Sequence, residues 1–314
     1  ALAASPPEGR RGRLVPMSAN EVSAKLVMQL RASTGLPMMK CKEALEATDG
    51  KFEDAVAWLR KKGLETAAKK ADRAMKEGRV AIQASPDGKK VAMVEVDCET
   101  EPVSVGPDFK ALVDGTLKAA AGLEGADGEI APETLLGLPH GKETVDLAVK
   151  GLVARIGENM AARRAVVYAA TGRVGTYLHH NAKVGVVVEV TGPAAALGTA
   201  DVKTFLDEVC KHVAFAKPVA VSRDQIAKDL VDKELEIYRE QAKQDPKLSS
   251  KPAPVVEKIL VGKLDKFFHD PGLLEQPWIM DDKTTVKAVL EAVAKKSGGA
   301  LAVRRFALYQ VGGA

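Results

Sequence analysis

Side chains that ordinarily carry covalent chemistry are sparse in this chain. It has three cysteines, Cys41, Cys98 and Cys210, and five histidines. A thiol or hydroxyl becomes a nucleophile when a neighbouring base or cation draws off its proton. No Cys-His or Ser-His-Asp grouping stands in such a context here. Two thiolates at C-x-x-C spacing would hold zinc, and that spacing is absent. A loop that cradles phosphate would read G-x-x-x-x-G-K-[ST], and it is absent too, so the chain does not read as a nucleotide hydrolase. The carboxylates are scattered among helical charges, as in KELEIYRE at 233–240. The expected chemistry is therefore non-covalent, with no catalytic residue, no metal and no cofactor.

Composition narrows the partner classes. Hydrophobic residues make up 46% of the 314 and charged residues 28%, the balance of a soluble globular protein. Aromatic residues are only 4%, so Ala, Val, Leu and Ile must build the core. The formal net charge is +4, with both signs interspersed. That is too weak a basic footprint to imply direct nucleic-acid binding. No apolar run approaches the roughly 20 residues that span a bilayer, so no membrane partner is expected. An odd, sparse set of cysteines fits a reducing compartment, by default a bacterial cytoplasm. Residues 1–16 (ALAASPPEGRRGRLVP) lack apolar periodicity and read as a disordered extension. The alternative is a transit-peptide remnant, which would place the protein in an organelle matrix.

The elements that must position any site follow from periodicity. Val22, Leu26 and Leu30 recur at helical spacing, Thr34-Gly35-Leu36-Pro37 breaks the pattern, and Met38–Thr48 predicts a second helix. Asp49-Gly50 is a turn, and Glu53–Lys62 predicts a third helix stopped at Gly63. Residues 65–77 read as an Ala-rich charged helix ended by Gly78. Two strands, Arg79–Ser85 and Lys90–Asp97, join through Pro86-Asp87-Gly88 as a β-hairpin. Helices are expected near Asp108–Ala121, Lys142–Ile156, Asp201–Phe215 and Thr284–Lys296. Strands are expected at Ala165–Ala170, Lys183–Thr191 and Leu301–Val311. Strand pairs followed by helices, repeated, imply an α+β fold of two related units with mainly antiparallel sheets. Between the repeats, Gln225–Ala242 and Val255–Phe268 form helical patterns around Pro246, Pro252 and Pro254, an antiparallel helical hairpin with charged outer faces.

Several segments resemble the elongation factor Ts family. LRASTGLPMMKCKEAL (30–45) is similar to the family's opening signature, with Lys40 where the family usually has Asp. AWLRKKG (57–63) and AKKA (68–71) follow, then Ile156-Gly157-Glu158-Asn159 with Arg163-Arg164, and Tyr177-Leu178-His179. His212-Val213-Ala214 with Lys217-Pro218, and Gln276-Pro277-Trp278-Ile279, complete the series in family order and spacing. The resemblance runs from Met17 to Val311. It implies a three-helix module similar to a ubiquitin-associated fold at 17–64, between the extension at 1–16 and the linker helix at 65–78. It also implies a core N-subdomain at 79–172, a core C-subdomain at 173–222 and 273–314, and a coiled-coil insertion at 223–272.

The resemblance further implies a partner, the GTPase elongation factor Tu, and a role in making Tu release GDP. Such a factor binds nucleotide-free GTPase better than the GDP form, and by linkage weakens GDP by the same factor. Tu-like GTPases hold GDP through phosphate contacts and Mg²⁺, so a wedge must disturb that region. By resemblance, Arg31, Met38 and Met39 contact the GTPase domain and His179 contacts a second Tu domain. The wedge is Thr100-Glu101-Pro102-Val103, where the family typically reads Thr-Asp-Phe-Val. The acid is retained one methylene longer, while the aromatic ring is replaced by Pro102. Two readings follow: a working exchange factor with altered wedge chemistry, or a Ts-like paralogue that binds Tu with weak exchange. A homodimer or a 2:2 assembly with Tu is a further expectation of the resemblance.

Overall fold

The computed structural model describes residues 22–313. The expectation for residues 1–16 lies outside the described residues. The architecture is α+β with antiparallel sheets, as the alternation of patterns requires.

Three helices open the chain: α1 (Ala24–Thr34), α2 (Met38–Ala47) and α3 (Phe52–Ala68). Ser23 caps α1 by accepting from the Leu26 N–H, and Gly35, at φ +68°, closes it. Their small core is Val27, Leu30, Cys41, Ala44, Leu45, Ala55 and Leu59. The third helix does not stop at Gly63. A Cβ at Gly63 would stand 3.1 Å from the Ala154 Cβ, so this glycine lets α3 approach a core helix rather than ending its own. The separate helix expected over 65–77 is likewise absent. Residues 65–68 finish α3, turns occupy 69–73, and Gly78 lies within a strand rather than at a helix end.

The first α+β unit contains β1 (Glu77–Ala84), β2 (Lys90–Cys98), α4 (Glu101–Ser104), α5 (Pro107–Ala121), β3 (Gly128–Ile130), α6 (Pro132–Gly137), the short pair β4 (Pro139–His140) and β5 (Glu143–Thr144), α7 (Val145–Ile156) and β6 (Met160–Ala169). Its sheet runs β1-β2-β6-β3, all antiparallel. Strand alternation sorts the faces. Ala92, Val94, Val96 and Cys98 pack with Phe109, Leu112, Val113, Leu152 and Val153 of the helices. Val91 and Met93 face the other way.

The second unit contains β7 (Arg173–Leu178), β8 (Val184–Thr191), α8 (Ala194–Leu197), α9 (Ala200–Ala216), then α10 (Lys228–Gln244), α11 (Pro246–Ser249) and α12 (Ala253–Phe267), and finally β9 (Pro277–Trp278), β10 (Asp281–Thr285), α13 (Val286–Ser297) and β11 (Ala302–Gln310). Its main sheet runs β11-β8-β7, again antiparallel. Val186, Val188 and Val190 pack with Phe205, Leu206, Val209 and Leu290. The expected helix starts at Lys142 and Thr284 are each later, at Val145 and Val286, because Thr144 and Thr285 serve as N-caps.

The two sheets meet face to face through Val80, Val91, Met93, Val166 and Tyr168 on one side and Val187, Ala307 and Tyr309 on the other. The layer order is helices, sheet, sheet, helices. The units are copies of one plan. Thr144 and Thr285 cap equivalent helices, Gly157 and Gly298 end them in the left-handed region, and Arg163-Arg164 and Arg304-Arg305 follow on equivalent strands. Glu95 accepts from Arg164 at 2.6 Å and Glu189 from Arg305 at 2.6 Å. The pairs cross between units: Arg164 lies over the ring of Tyr309 at 4.4 Å, and Arg305 over Tyr168 at 3.9 Å.

Helices α10 and α12 pack mainly on each other. Among their described residues only Ala242 and Leu260 are buried. At their base Arg223 donates to Glu275 at 3.0 and 2.9 Å and to Asp265 at 3.0 Å.

Candidate functional site

The turn after β2 presents exposed side chains on an anchored backbone. Cys98 ends that strand fully buried, and its thiol donates to the Thr100 carbonyl at 3.4 Å. Burial pushes this thiol up to about 12, so it is a core residue and not a nucleophile. The segment that follows is a single helical turn, α4. Pro102 sits in that first turn, where a missing N–H leaves no bond unmade. Ser104 is buried and its hydroxyl donates to the Glu101 carbonyl at 2.9 Å. Val103 packs on the first unit's core. Glu101 and Pro102 are left exposed, and Val105, just beyond the turn, is exposed as well.

The helical module reaches the same end of the first unit. Helix α2 turns Cys41, Ala44 and Leu45 inward at helical spacing, which leaves Met38 at 45% and Met39 at 73% exposure. These two methionines are therefore not core residues of the module. Arg31 is exposed on α1. The module is fixed to α7 by the close passage of Gly63 at Ala154 and by Lys40 Nζ, which donates to the Ala154 carbonyl at 3.4 Å. Arg155 runs beside Gly35 and pairs with Asp108 at 3.1 Å, near the start of α5. The N-terminal helices, the end of α7 and the α4–α5 corner are thus one connected edge.

The segment Ile156–Asn159 joins this edge, although sequence reading used it only as a mark of resemblance. Thr100 donates its hydroxyl to the Glu158 carboxylate at 2.9 and 3.1 Å. The Asn159 N–H donates to Glu99 at 2.6 Å. Lys70 donates to the Gly157 carbonyl. Nothing in spacing alone signals these contacts, because the partners lie far apart in the chain.

His179 is placed differently, at the end of β7 in the second unit. Its Nδ1 is 2.7 Å from the Tyr177 hydroxyl, and the His180 ring lies at 4.2 Å. It lines an open groove of about 450 Å³ with Tyr177, Lys211, Phe215 and Lys217, and Phe215 is 78% exposed. The contacts that join α2, α7 and the turn at α4 do not include it. Among the described residues no three of His, Cys, Asp and Glu converge as metal ligands, and no helix is long and apolar enough to cross a membrane. The arrangement leaves apolar and acidic side chains exposed on a turn and a helix that the bonds above anchor.

A family model described as Elongation factor TS matches residues 99–313. An Elongation factor Ts of Clostridium botulinum (strain Eklund 17B / Type B) is 39% identical over 293 residues, covering 93% of each chain. One of Nitratidesulfovibrio vulgaris (strain DP4) is 40% identical over 296 residues, 93% of this chain and 96% of the relative. One of Prosthecochloris aestuarii (strain DSM 271 / SK 413) is 36% identical over 294 residues, 93% of this chain and 99% of the relative.

Proposed function

The chain belongs to the elongation factor Ts family, and from that membership we propose that it binds elongation factor Tu carrying GDP and promotes GDP release. Membership makes it a translation elongation factor of a family of exchange factors, not a catalyst of covalent chemistry. The finer reading assigns Arg31, Met38 and Met39 to the GTPase domain of Tu, His179 to a second Tu domain, and Thr100-Glu101-Pro102-Val103 to the wedge. Its partner is Tu rather than nucleic acid or membrane, it needs no cofactor, and it works in a reducing translation compartment such as a bacterial cytoplasm. Self-association, or a 2:2 complex with Tu, is compatible with this role.

The observation that supports the reading best is the exposure of Glu101 and Pro102 on a turn whose other residues are anchored. An exchange factor can only bias Tu by as much as it binds the nucleotide-free state better. Adaptable exposed methionines supply apolar contact area. A stiff turn converts that contact into displacement at the Mg²⁺ and phosphate region.

Pro102 favours a second reading, in which the chain holds Tu without fast exchange. A pyrrolidine ring fills far less space than the family's phenyl ring, and an aromatic anchor at a hot spot is worth about 2 kcal/mol or more. Stopped-flow release of labelled GDP from the cognate Tu separates the two. Concentration-dependent acceleration supports exchange. Clear binding with unchanged release supports the holding role. The absence of both binding and acceleration overturns the assignment of Tu as the partner.

A further inference from the structure

We propose that Glu158 and Asn159 form a latch that fixes the α4 turn relative to the N-terminal helical module, and that they set how fast GDP leaves rather than how tightly Tu is held. The inference rests on the exchange reading above and assigns positioning residues to it.

The latch works on both sides of one short turn. Asn159 is buried, at 6% exposure, and its side-chain amide donates to the Ala71 carbonyl at 3.1 Å and to the Arg73 carbonyl at 2.8 Å. These carbonyls belong to the turns that lead away from the helical module. The Asn159 backbone N–H binds Glu99 at 2.6 Å, and Glu99 also faces Arg73 at 3.6 Å. One residue earlier, Glu158 accepts the Thr100 hydroxyl on both carboxylate oxygens. Residues 99 and 100 lead directly into α4. The module's exit and the root of the exposed turn are therefore tied to adjacent residues, 158 and 159.

The second unit separates folding from positioning. At the equivalent place, after the left-handed cap Gly298, it carries Gly299-Ala300, with no side chain able to accept or donate. Before its own short helix α8 it carries Gly192-Pro193 where the first unit has Glu99-Thr100. The second unit still forms the same cap, strand and helix without these bonds. The plan itself does not need them. What the first unit has alone is a helical module entering on one side and an exposed acid and proline on the other.

A wedge acts only if it does not yield when pressed. If the root of α4 recoils, binding energy deforms the factor instead of the partner's metal site, and misplacement of a pressing group by about 1 Å can cost on the order of a hundredfold in rate. The latch supplies that resistance and sets the reach of the turn relative to Met38 and Met39.

The test uses the full chain and its Thr100→Val, Glu158→Ala, Glu158→Gln and Asn159→Ala variants. GDP release from Tu is followed by stopped flow across a range of factor concentration, which separates plateau rate from half-saturating concentration. Glu158→Ala is expected to lower the plateau about tenfold with half-saturation within about twofold, and Thr100→Val, whose side chain also belongs to the proposed wedge, to lower the plateau as well. Glu158→Gln keeps an acceptor and should recover most of the rate, and the Thr100→Val/Glu158→Ala double variant should be no worse than the worse single. Asn159→Ala should lower the plateau as well. An unchanged plateau in Thr100→Val and Glu158→Ala, with the parent chain active, overturns the latch and leaves the exchange reading standing. A parallel fall in plateau, affinity and thermal stability marks a merely structural role and overturns it too. If the parent chain gives no acceleration, the exchange reading fails and takes the latch with it.

Discussion

Arg164 and Glu95 meet at 2.6 Å in the layer where the two sheets close on each other, and Glu95 is fully buried there. The second carboxylate oxygen of Glu95 has no hydrogen-bond partner among the described residues. Burial outweighs the pull of Arg164 and pushes the Glu95 carboxyl upward, with Asp97 beside it adding to the rise. The equivalent acid in the second unit is better served. Glu189 accepts from Arg305, from Arg304 at 3.2 Å, and from the Thr171 and Gly172 N–H groups at 2.8 and 3.3 Å. Burial pushes that carboxyl up, but these donors outweigh it and hold it below its usual range.

The asymmetry gives a first prediction. Arg164→Met removes the only side chain bonded to Glu95 among the described residues and should cost about 3–5 kcal/mol in urea unfolding. Arg305→Met leaves Glu189 with five other hydrogen bonds and should cost less. Equal losses would show that the backbone donors around Glu189 do not compensate for an arginine.

A second prediction concerns how closely the sheets approach. Gly185 lies on β8, and a Cβ there would stand 2.5 Å from Val80 Cγ1 and 3.0 Å from Met93 Sδ. Val80 is β-branched and buried, so it has little freedom to move aside. Gly185→Ala should destabilise by about 1–3 kcal/mol through overpacking, read as a lower urea midpoint with unchanged slope. A midpoint at or above the parent's would mean that the sheets can part by a few tenths of an ångström without loss.

These two sites show what could be read from sequence and what could not. The β-branched run over 183–191 announces a strand, and its alternation is obeyed: Val186, Val188 and Val190 face helices while Val187 faces the other sheet. The helical hairpin was legible from its apolar spacing and prolines, to within a few residues at each end. Gly63 was misread because a glycine that admits a neighbouring helix looks, in one dimension, like a glycine that ends its own. The short strand β7 carried too few β-branched residues to stand out. The repeated Arg-Arg pair followed four residues later by Tyr was visible in the chain, yet its meaning, two cation–ring contacts crossing between units, needed three dimensions. At the candidate site, Met38, Met39 and Pro102 are exposed, while the bonds from Glu158 and Asn159 span too many residues for any local pattern to reveal.

The pH dependence of stability supplies a third prediction. His212 is buried on α9, stacked on Trp278 at 5.2 Å, with Nε2 2.8 Å from Gln276 Oε1 and Nδ1 accepting the Ile279 N–H at 3.3 Å. Burial pulls its pKa below the ordinary 6.5, against a smaller opposing effect of Gln276. The folded chain therefore refuses a proton that the unfolded chain accepts. Stability should fall as pH drops below about 6.5, by at most about 1.4 kcal/mol per pH unit for one proton. His212→Asn should be less stable at neutral pH and show a flatter profile between pH 7.5 and 5.5. Parallel profiles would assign the acid sensitivity to other groups.

Position 102 gives the last prediction. Pro102 lies in the first turn of α4 and is exposed, so a phenylalanine there meets no buried neighbour, and its added N–H falls where helices ordinarily leave that donor unbonded. Losing the ring's restraint on the unfolded chain should cost no more than about 1 kcal/mol. If exchange is limited by the small size of the wedge, Pro102→Phe should speed GDP release from Tu about tenfold or more, the return on one aromatic anchor at a hot spot, with thermal stability nearly unchanged. Pro102→Gly should move the other way, because it removes both apolar surface and stiffness at the same point. A Pro102→Phe variant that binds Tu as the parent does and releases GDP no faster would mean that Glu101 and the rigidity of the turn, and not the missing ring, set the rate.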